Sequence, residues 1–251
     1  MMSLPLLKHF IKKNWAIWLG FLAFLMMEML VCIFMMDEIA AMLPEGFMGV
    51  SITGASTLAF VAGLLPLYTS MFVMAFVIFI VFRTLYKPVD STSLNAHLSS
   101  GITRKQYILT AAVFLTGAVF AMFVIMFVAC GASMLMWGAI DWLAWLNLNM
   151  SYFFNIMAVA FICFFFASVF APGNIGKLGM VGLPILFLLF QMLSGYVSFF
   201  EYLSPFSWLD SLKIAMGTFD LWWMWYLIFA SSTAVLLFVT VKLFGKKQLS
   251  I

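Results

Sequence analysis

Ionisable side chains that could do chemistry are scarce in the apolar stretches of this chain, and Glu28 is the most unusual of them. It lies inside a long apolar run, where an unpaired carboxylate is costly and by default indicates a function. Three roles stay open: a hydrogen bond to another helix, a place on a transport path, and proton coupling. Asn155 and Gln191 also lie inside apolar runs. We predict that these three residues form intramembrane polar sites or line a translocation pathway.

Enzymatic chemistry is not indicated by the remaining residues. His9 and His97 are the two histidines, and both lie outside the apolar runs. A zinc-protease motif at membrane depth, which needs paired histidines, is therefore absent from the sequence. Cys32, Cys130 and Cys163 all fall within apolar runs, as expected for small buried hydrophobic side chains. We expect a non-catalytic chain that holds no metal or cofactor and binds no nucleic acid.

A phosphate-binding loop is also missing. Its G-x-x-x-x-G-K-[ST] pattern is needed because backbone amides hold the phosphates and the hydroxyl binds magnesium. The nearest string ends in Gly176-Lys177, but Ala171 stands at the first glycine position and Leu178 replaces the hydroxyl. We interpret this string as a tight turn between two helices, so any ATP hydrolysis would have to occur on another chain.

The composition predicts that the lipid bilayer surrounds these residues. Of 251 residues, 66% are hydrophobic and only 8% are charged, against about 25% charged in soluble domains. We predict an all-α polytopic membrane protein with a single transmembrane domain over 1–251 and with kinks at Pro66 and Pro184. Six spans are predicted near 14–36, 58–82, 107–130, 152–171, 178–200 and 222–241.

The basic residues indicate the orientation of these spans. If the N-terminus is cytoplasmic, 11 of the 12 Lys and Arg residues lie on the cytoplasmic side and only Lys213 lies outside. Basic residues in short loops favour the cytoplasm. We therefore expect a multi-pass protein with both termini in the cytoplasm.

The longest predicted cytoplasmic loop covers 83–106. Pro88 is expected to end the preceding helix, and Asp90 to cap a short new one at 91–99. Leu94 and Leu98 are four residues apart and would share one face of that helix. This apolar ridge could dock into a groove on a soluble partner or lie on lipid.

The end of the same loop contains two further signals. Gly101 is expected to end the short helix, and Thr103 to cap the third span. Both predictions concern how the loop joins the membrane-spanning helices.

At this loop the chain resembles the ABC-2-type permeases of bacteria. The resemblance rests on Val89-Asp90 and on the stretch 98–105, Leu-Ser-Ser-Gly-Ile-Thr-Arg-Lys, in which Gly101 stands where the family usually has proline. The Pro205-Phe206 pair before the last span also fits that family. The layout of six spans is similar over nearly the whole chain. The resemblance also implies that residues 1–13 form an amphipathic helix in the inner interface, a role that the apolar and basic residues of this segment suit.

The resemblance implies a type V exporter-like half-transporter in a bacterial plasma membrane. A second permease subunit, identical or related, would complete the membrane part. Two copies of a cytoplasmic ATPase subunit, carrying ATP and magnesium, would dock at the loop. The loop residues implied in coupling are Asp90, Leu94, Leu98, Gly101 and Arg104. The cargo would be hydrophobic or amphipathic, such as a peptide, a peptide antibiotic or a drug, since few polar groups are available to hold a hydrophilic solute.

An alternative function stays open from the residues alone. An ion-coupled secondary carrier or a channel could place Glu28 in its pathway, although such proteins usually contain several intramembrane charges. A structural or assembly role in the membrane is a further alternative. Dependence on a proton gradient rather than on ATP would identify the carrier.

Overall fold

Six long apolar helices build the fold. The structure, a computed structural model, describes residues 2–36, 38–39, 57–91, 94–99, 101–138, 140–194, 196–218 and 222–246. Within these residues six helices are long and apolar enough to cross a membrane. By the length and composition of its helices, the chain is therefore a multi-pass membrane protein. Residues 92, 93 and 100 of the predicted loop lie outside the described part.

The helices are numbered here in chain order. The six long ones are α1 (Leu4–Phe34), α2 (Thr57–Asp90), α4 (Arg104–Met134), α5 (Trp142–Val169), α6 (Asn174–Ser194) and α8 (Trp222–Lys246). Two short helices are α3 (Leu94–Ser99) and α7 (Ser211–Ala215). Wider π-turns interrupt α2 at Thr69–Val73 and Phe82–Tyr86 and α6 at Leu178–Gly182, and 3₁₀ turns form at Ser198–Leu203 and Pro205–Ser207.

Helix α1 is continuous, whereas the family resemblance implied a separate interfacial helix at 1–13. Its 31 residues correspond to about 46 Å at 1.5 Å per residue. The first turns pack on α4, because Leu6 and Phe10 are buried and the Phe10 ring lies 5.8 Å from that of Tyr107. The Ser3 amide also donates to Thr110 Oγ1 at 2.9 Å. These contacts make residues 4–13 part of the helix bundle.

Pro88 does not end the second helix, contrary to the sequence-based prediction. A proline removes the hydrogen bond to the carbonyl four residues earlier, here that of Thr84. The Tyr107 hydroxyl donates to this carbonyl at 2.6 Å, so the lost backbone bond is replaced from α4. The π-turn at Phe82–Tyr86 comes directly before the proline. The helix therefore continues to Asp90.

Helix α5 forms the centre of the bundle. It contacts α2, α4, α6 and α8, and it is the most buried of the six long helices. Hydrogen bonds add to this packing: the Trp145 indole donates to the Phe127 carbonyl at 2.9 Å, and the Tyr226 hydroxyl donates to the Asn147 carbonyl at 2.8 Å. Helices α1, α6 and α8 lie at the periphery, where their apolar outer faces suit contact with lipid.

One end of the bundle carries the start of α1, the α5–α6 turn, the end of α8 and the linker between α2 and α4. This linker covers residues 91–103 and contains α3. The Tyr86 hydroxyl accepts from the Gly173 amide at 3.2 Å, which joins the linker side to the α5–α6 turn. Lys105 lies beside Gly245 of α8. We call this the inner end, after its predicted orientation, and the opposite end the outer end.

Close packing of α5 against α6 depends on Gly179. A Cβ atom at this position would lie 2.1 Å from ring atoms of Phe166. Overpacking of this kind costs about 1–3 kcal/mol, so Gly179→Ala is expected to lower the thermal unfolding midpoint of the purified protein. Gly182→Ala is the matched control, because its Cβ would meet nothing closer than 3.8 Å. Equal midpoints for the two variants would contradict this packing.

Candidate functional site

The linker between α2 and α4 is held against the bundle. Leu94 is only 1% exposed and belongs to the hydrophobic core, and Leu98 is half-buried against it. The predicted exposed ridge of Leu94 and Leu98 is therefore wrong. The two leucines do share one face of α3, but that face packs against the hydrophobic core of the bundle.

Asp90 and Gly101 mark the two ends of the linker. Asp90 is the last residue of α2 and is exposed, so it does not cap α3 as predicted. Gly101 has φ +86° and donates its amide to the Leu98 carbonyl at 3.2 Å. This left-handed conformation suits glycine and ends α3 as predicted.

The start of α4 is capped as the sequence predicts. Thr103 Oγ1 accepts from the Gln106 amide at 3.2 Å, and the Gln106 side chain accepts from the Thr103 amide at 2.9 Å. This reciprocal arrangement is a capping box. Arg104 is the first residue of α4 and is half-buried.

The end of α2 before the linker is also attached at several points, and the linker with its flanking residues offers a polar outer surface. Lys177 of α6 lies over the Tyr86 ring at 5.8 Å, in addition to the bonds of Tyr86 to Gly173 and of Tyr107 to Thr84. Where the side chains of this surface are described, the exposed residues are Lys87, Asp90, Ser91, Ser99, Gly101, Thr103 and Lys105.

A second group of polar side chains lies within the membrane-spanning helices. We call it the polar row; its members are Glu28 and Cys32 of α1, Tyr68 and Ser70 of α2, and Gln191 of α6. Cys32 Sγ lies 3.1 Å from the Tyr68 hydroxyl, and Ser70 Oγ donates to Gln191 Oε1 at 2.9 Å. Glu28 is half-buried and lies one helical turn before Cys32, on the same face of α1.

The depth of Glu28 follows from its helix. It is fourteen residues beyond Asn14, or about 21 Å along the axis, and six residues before the end of α1 at Phe34. Phe24 lies one helical turn before Glu28 on the same face of α1. The Phe24 ring centroid lies 4.9 Å from that of Phe72, which in turn lies 6.0 Å from that of Tyr68. Among the described residues the only ion pair joins Lys213 and Asp210, so no described basic residue pairs with Glu28.

Asn155 lies elsewhere and has a different partner. It is fully buried in α5, and its Nδ2 donates to the Pro205 carbonyl at 2.7 Å. Ser204 Oγ donates to the Phe187 carbonyl at 2.8 Å, and Phe206 is buried beside them. These contacts hold the outer segment 198–209 against α5 and α6. Asn155 therefore has a structural contact, and it touches neither Glu28 nor Gln191. No contact among the described residues joins Glu28 to Gln191 either: the Cys32–Tyr68 and Ser70–Gln191 pairs lie on different faces of α2, because Tyr68 and Ser70 are two residues apart.

The outer segment continues into α7. Asp210 accepts from the Lys213 amide at 3.1 Å and forms an ion pair with the Lys213 side chain at 2.9 Å. The hydrogen bond with Asp210 raises the pKa of the exposed Lys213 ammonium group. This short capped helix packs on the beginning of α2 and on α5.

Sequence reasoning missed Cys32, Tyr68 and Ser70 as members of the polar row. The available signal was the position of Thr69-Ser70 shortly after Pro66. In the structure Thr69 Oγ1 donates to the Leu65 carbonyl at 2.6 Å, and the Ser70 hydroxyl shares its one proton between the Pro66 carbonyl and Gln191 Oε1. Hydroxyl side chains within helices commonly bond the carbonyl four residues earlier, and a π-turn at this point is typical of functional sites.

Metal binding finds no support in the described part of the chain. No group of three His, Cys, Asp or Glu residues there could hold a metal ion. Comparisons with protein-family models, with curated proteins and with solved structures give no match to this chain. Function must therefore be argued from the linker and the polar row.

Proposed function

We propose that this chain is the transmembrane permease subunit of an ATP-driven exporter of the ABC-2 type. The observation that carries the proposal is the linker: a short element, fixed to α2 and α4, that presents charged groups at the end of an apolar six-helix bundle. The resemblance of its residues to the coupling region of that family supports the same function. The chain itself would be non-catalytic, with ATP and magnesium bound by two copies of a cytoplasmic ATPase subunit.

The buried leucines change how coupling would work. Leu94 and Leu98 would transmit force by fixing α3 to the bundle, and Arg104 and Gly101 would fix the entry into α4. The surface that meets the ATPase would be polar, with exposed Asp90 as its main acidic group. A rigid attachment suits this role because a displacement of the linker then moves α2 and α4 together.

The polar row is the proposed place of cargo contact. Half-buried Glu28 has no basic partner among the described residues, and Phe24, one helical turn before it on α1, packs on the Phe72 ring. A carboxylate beside aromatic faces favours a cation, and the neighbouring helix faces are apolar. The proposed cargo is therefore an amphipathic molecule with a positive charge, such as a peptide, a peptide antibiotic or a drug.

A complete transporter would contain two such permeases, identical or related. Each would lie in a bacterial plasma membrane with both termini in the cytoplasm. The inner end of the bundle, which carries the linker, would face the ATPase subunits.

Co-purification tests the coupling. The tagged chain, expressed in its native host, is expected to co-purify with a soluble ATPase, and the complex is expected to hydrolyse ATP. Asp90→Arg should reduce both the amount of bound ATPase and the hydrolysis, since it reverses the charge of the exposed linker. Glu201→Arg is the matched control, because Glu201 is equally exposed at the outer end. Unchanged ATPase binding in Asp90→Arg would contradict the assignment of this surface.

An ion-coupled carrier is the second candidate, favoured by the single observation that Glu28 has no described partner. A carrier would lose transport when the proton gradient is collapsed and would be indifferent to ATP depletion. The proposed exporter would show the opposite dependence in the same vesicles.

A further inference from the structure

A basic cavity opens at the inner end of the bundle, between α1 and α2. Its volume is about 380 Å³, and Lys13, Arg83 and Lys87 all line it. Arg83 and Lys87 are four residues apart, so they share one face of α2, and Lys13 approaches from α1. The remaining lining residues are Phe79, Phe82, Pro88 and Ser91.

Among the described residues, the three positive charges in this cavity have no counter-charge there. No carboxylate lines it, and the one ion pair in the described ranges, Lys213 with Asp210, lies at the outer end. Three positive charges around one cavity repel one another. An anion with several acceptor oxygens would relieve this repulsion, and arginine is well suited to bind phosphate.

An apolar groove adjoins the same cavity. It runs between α2 and α6, has a volume of about 360 Å³, and shares Phe79 and Phe82 with the basic cavity. From Phe82 it extends along α2 to Met71, which is eleven residues or about 17 Å. Aliphatic side chains such as Ile185 and Leu188 form its other wall.

We propose that the cavity and the groove together bind an anionic phospholipid of the surrounding bilayer. The phosphate lies among Lys13, Arg83 and Lys87, and one acyl chain follows the groove between α2 and α6. Charge selects an anionic headgroup, and the connection of a basic cavity to an apolar groove selects a lipid over a free anion. Basic pockets between transmembrane helices bind anionic headgroups in this way.

The position of this site means that a bound lipid would affect α2. Lys87, Pro88 and Ser91 form the end of α2 and the beginning of the linker, and the groove reaches towards Ser70 and Gln191 of the polar row. A bound lipid would therefore hold α2 in place at both regions. The inference does not depend on ATP-driven transport, because a lipid could bind a bundle of any function.

Thermal unfolding and native mass spectrometry of the purified full-length chain test the site. The protein is titrated with phosphatidylglycerol, with phosphatidylcholine, and with inorganic phosphate as the soluble probe. Phosphatidylglycerol is expected to raise the unfolding midpoint and to remain bound in the mass spectrum, with binding that weakens as salt increases. Phosphatidylcholine and inorganic phosphate are expected to have little effect.

Two variants separate the headgroup contacts from the groove. Arg83→Gln combined with Lys87→Gln is expected to weaken phosphatidylglycerol binding about tenfold or more. Lys242→Gln combined with Lys246→Gln removes the same charge from exposed positions of α8 outside the cavity and is expected to bind as the parent chain does. Ala75→Phe fills the groove, which Ala75 lines, and is expected to weaken lipid binding while all three cations remain.

Several results would overturn the proposal. Equal binding of phosphatidylcholine would show that charge does not select the ligand. An equal loss in the two double variants would show only general attraction to a basic surface. If inorganic phosphate stabilised the chain as strongly as the lipid and Ala75→Phe had no effect, the cavity would be an anion site without a lipid.

Discussion

Leu94→Asp is expected to prevent most of the chain from reaching its folded state. Leu94 is 1% exposed in the hydrophobic core, and replacing a buried leucine by alanine alone costs about 2–5 kcal/mol. An aspartate adds the cost of burying a charge without a partner. The measurement is the fraction of monodisperse protein in detergent by size-exclusion chromatography, relative to the parent chain.

Leu98→Asp provides the comparison within the same short helix. Leu98 is only half-buried, so its carboxylate could reach water and the loss of folded protein is expected to be smaller. If Leu94→Asp instead gave normal amounts of folded protein and lost only its partner ATPase, Leu94 would be an exposed docking residue. The inward-facing α3 described here would then be wrong.

This pair of variants also shows where sequence reasoning reaches its limit. The four-residue spacing of Leu94 and Leu98 correctly indicates that they share a helix face, but spacing does not say which surface that face meets. In a soluble loop an apolar face could meet a partner, lipid or the protein's own core. Only the tertiary path of the linker decides among these, and here it folds back on the bundle.

Local backbone signals were more reliable where no distant contact competes with them. Gly101 ends α3 and Thr103 caps α4, because both effects depend on residues within a few positions in the sequence. Pro88 was misread because its effect depends on Tyr107, which lies 19 positions further along the chain. The Tyr107 hydroxyl satisfies the carbonyl that the proline leaves free.

The six membrane-spanning helices were predictable because lipid imposes a minimum length of apolar sequence. The partners of the intramembrane polar residues were not. Asn155 and Gln191 look alike in sequence, yet one binds the Pro205 carbonyl and the other binds Ser70. Such pairings depend on helix rotation and on the return of segment 198–209 to the bundle.

The arrangement of the polar row separates residues that stabilise it from the one that could select a ligand. Ser70 and Gln191 satisfy each other, as do Cys32 and Tyr68. Glu28 alone remains without a described hydrogen-bond or ionic partner. A site with one unsatisfied charge and satisfied neighbours has its electrostatic preference set by that charge, so the cation preference of the row should depend mainly on Glu28.

Glu28→Gln is therefore expected to reduce transport of a cationic amphipathic cargo roughly tenfold to 100-fold. The estimate follows from the loss of one charge-assisted contact, about 1.5–3 kcal/mol, at 1.4 kcal/mol for each factor of ten. The substitution keeps the size of the side chain, so the thermal midpoint should change little. Transport into inverted vesicles that contain the chain with its ATPase, measured with a cationic and a neutral amphiphile of similar size, provides the test.

Glu38→Gln is the matched control for this substitution, because Glu38 is exposed beyond the end of α1 and lies outside the polar row. It is expected to transport both amphiphiles as the parent chain does. A lowered thermal midpoint in Glu28→Gln, with transport reduced equally for both amphiphiles, would assign the carboxylate a structural role. A loss that appears only when a proton gradient drives uptake would instead make Glu28 the ion-binding group of a carrier, because ATP-driven export needs no proton at this position.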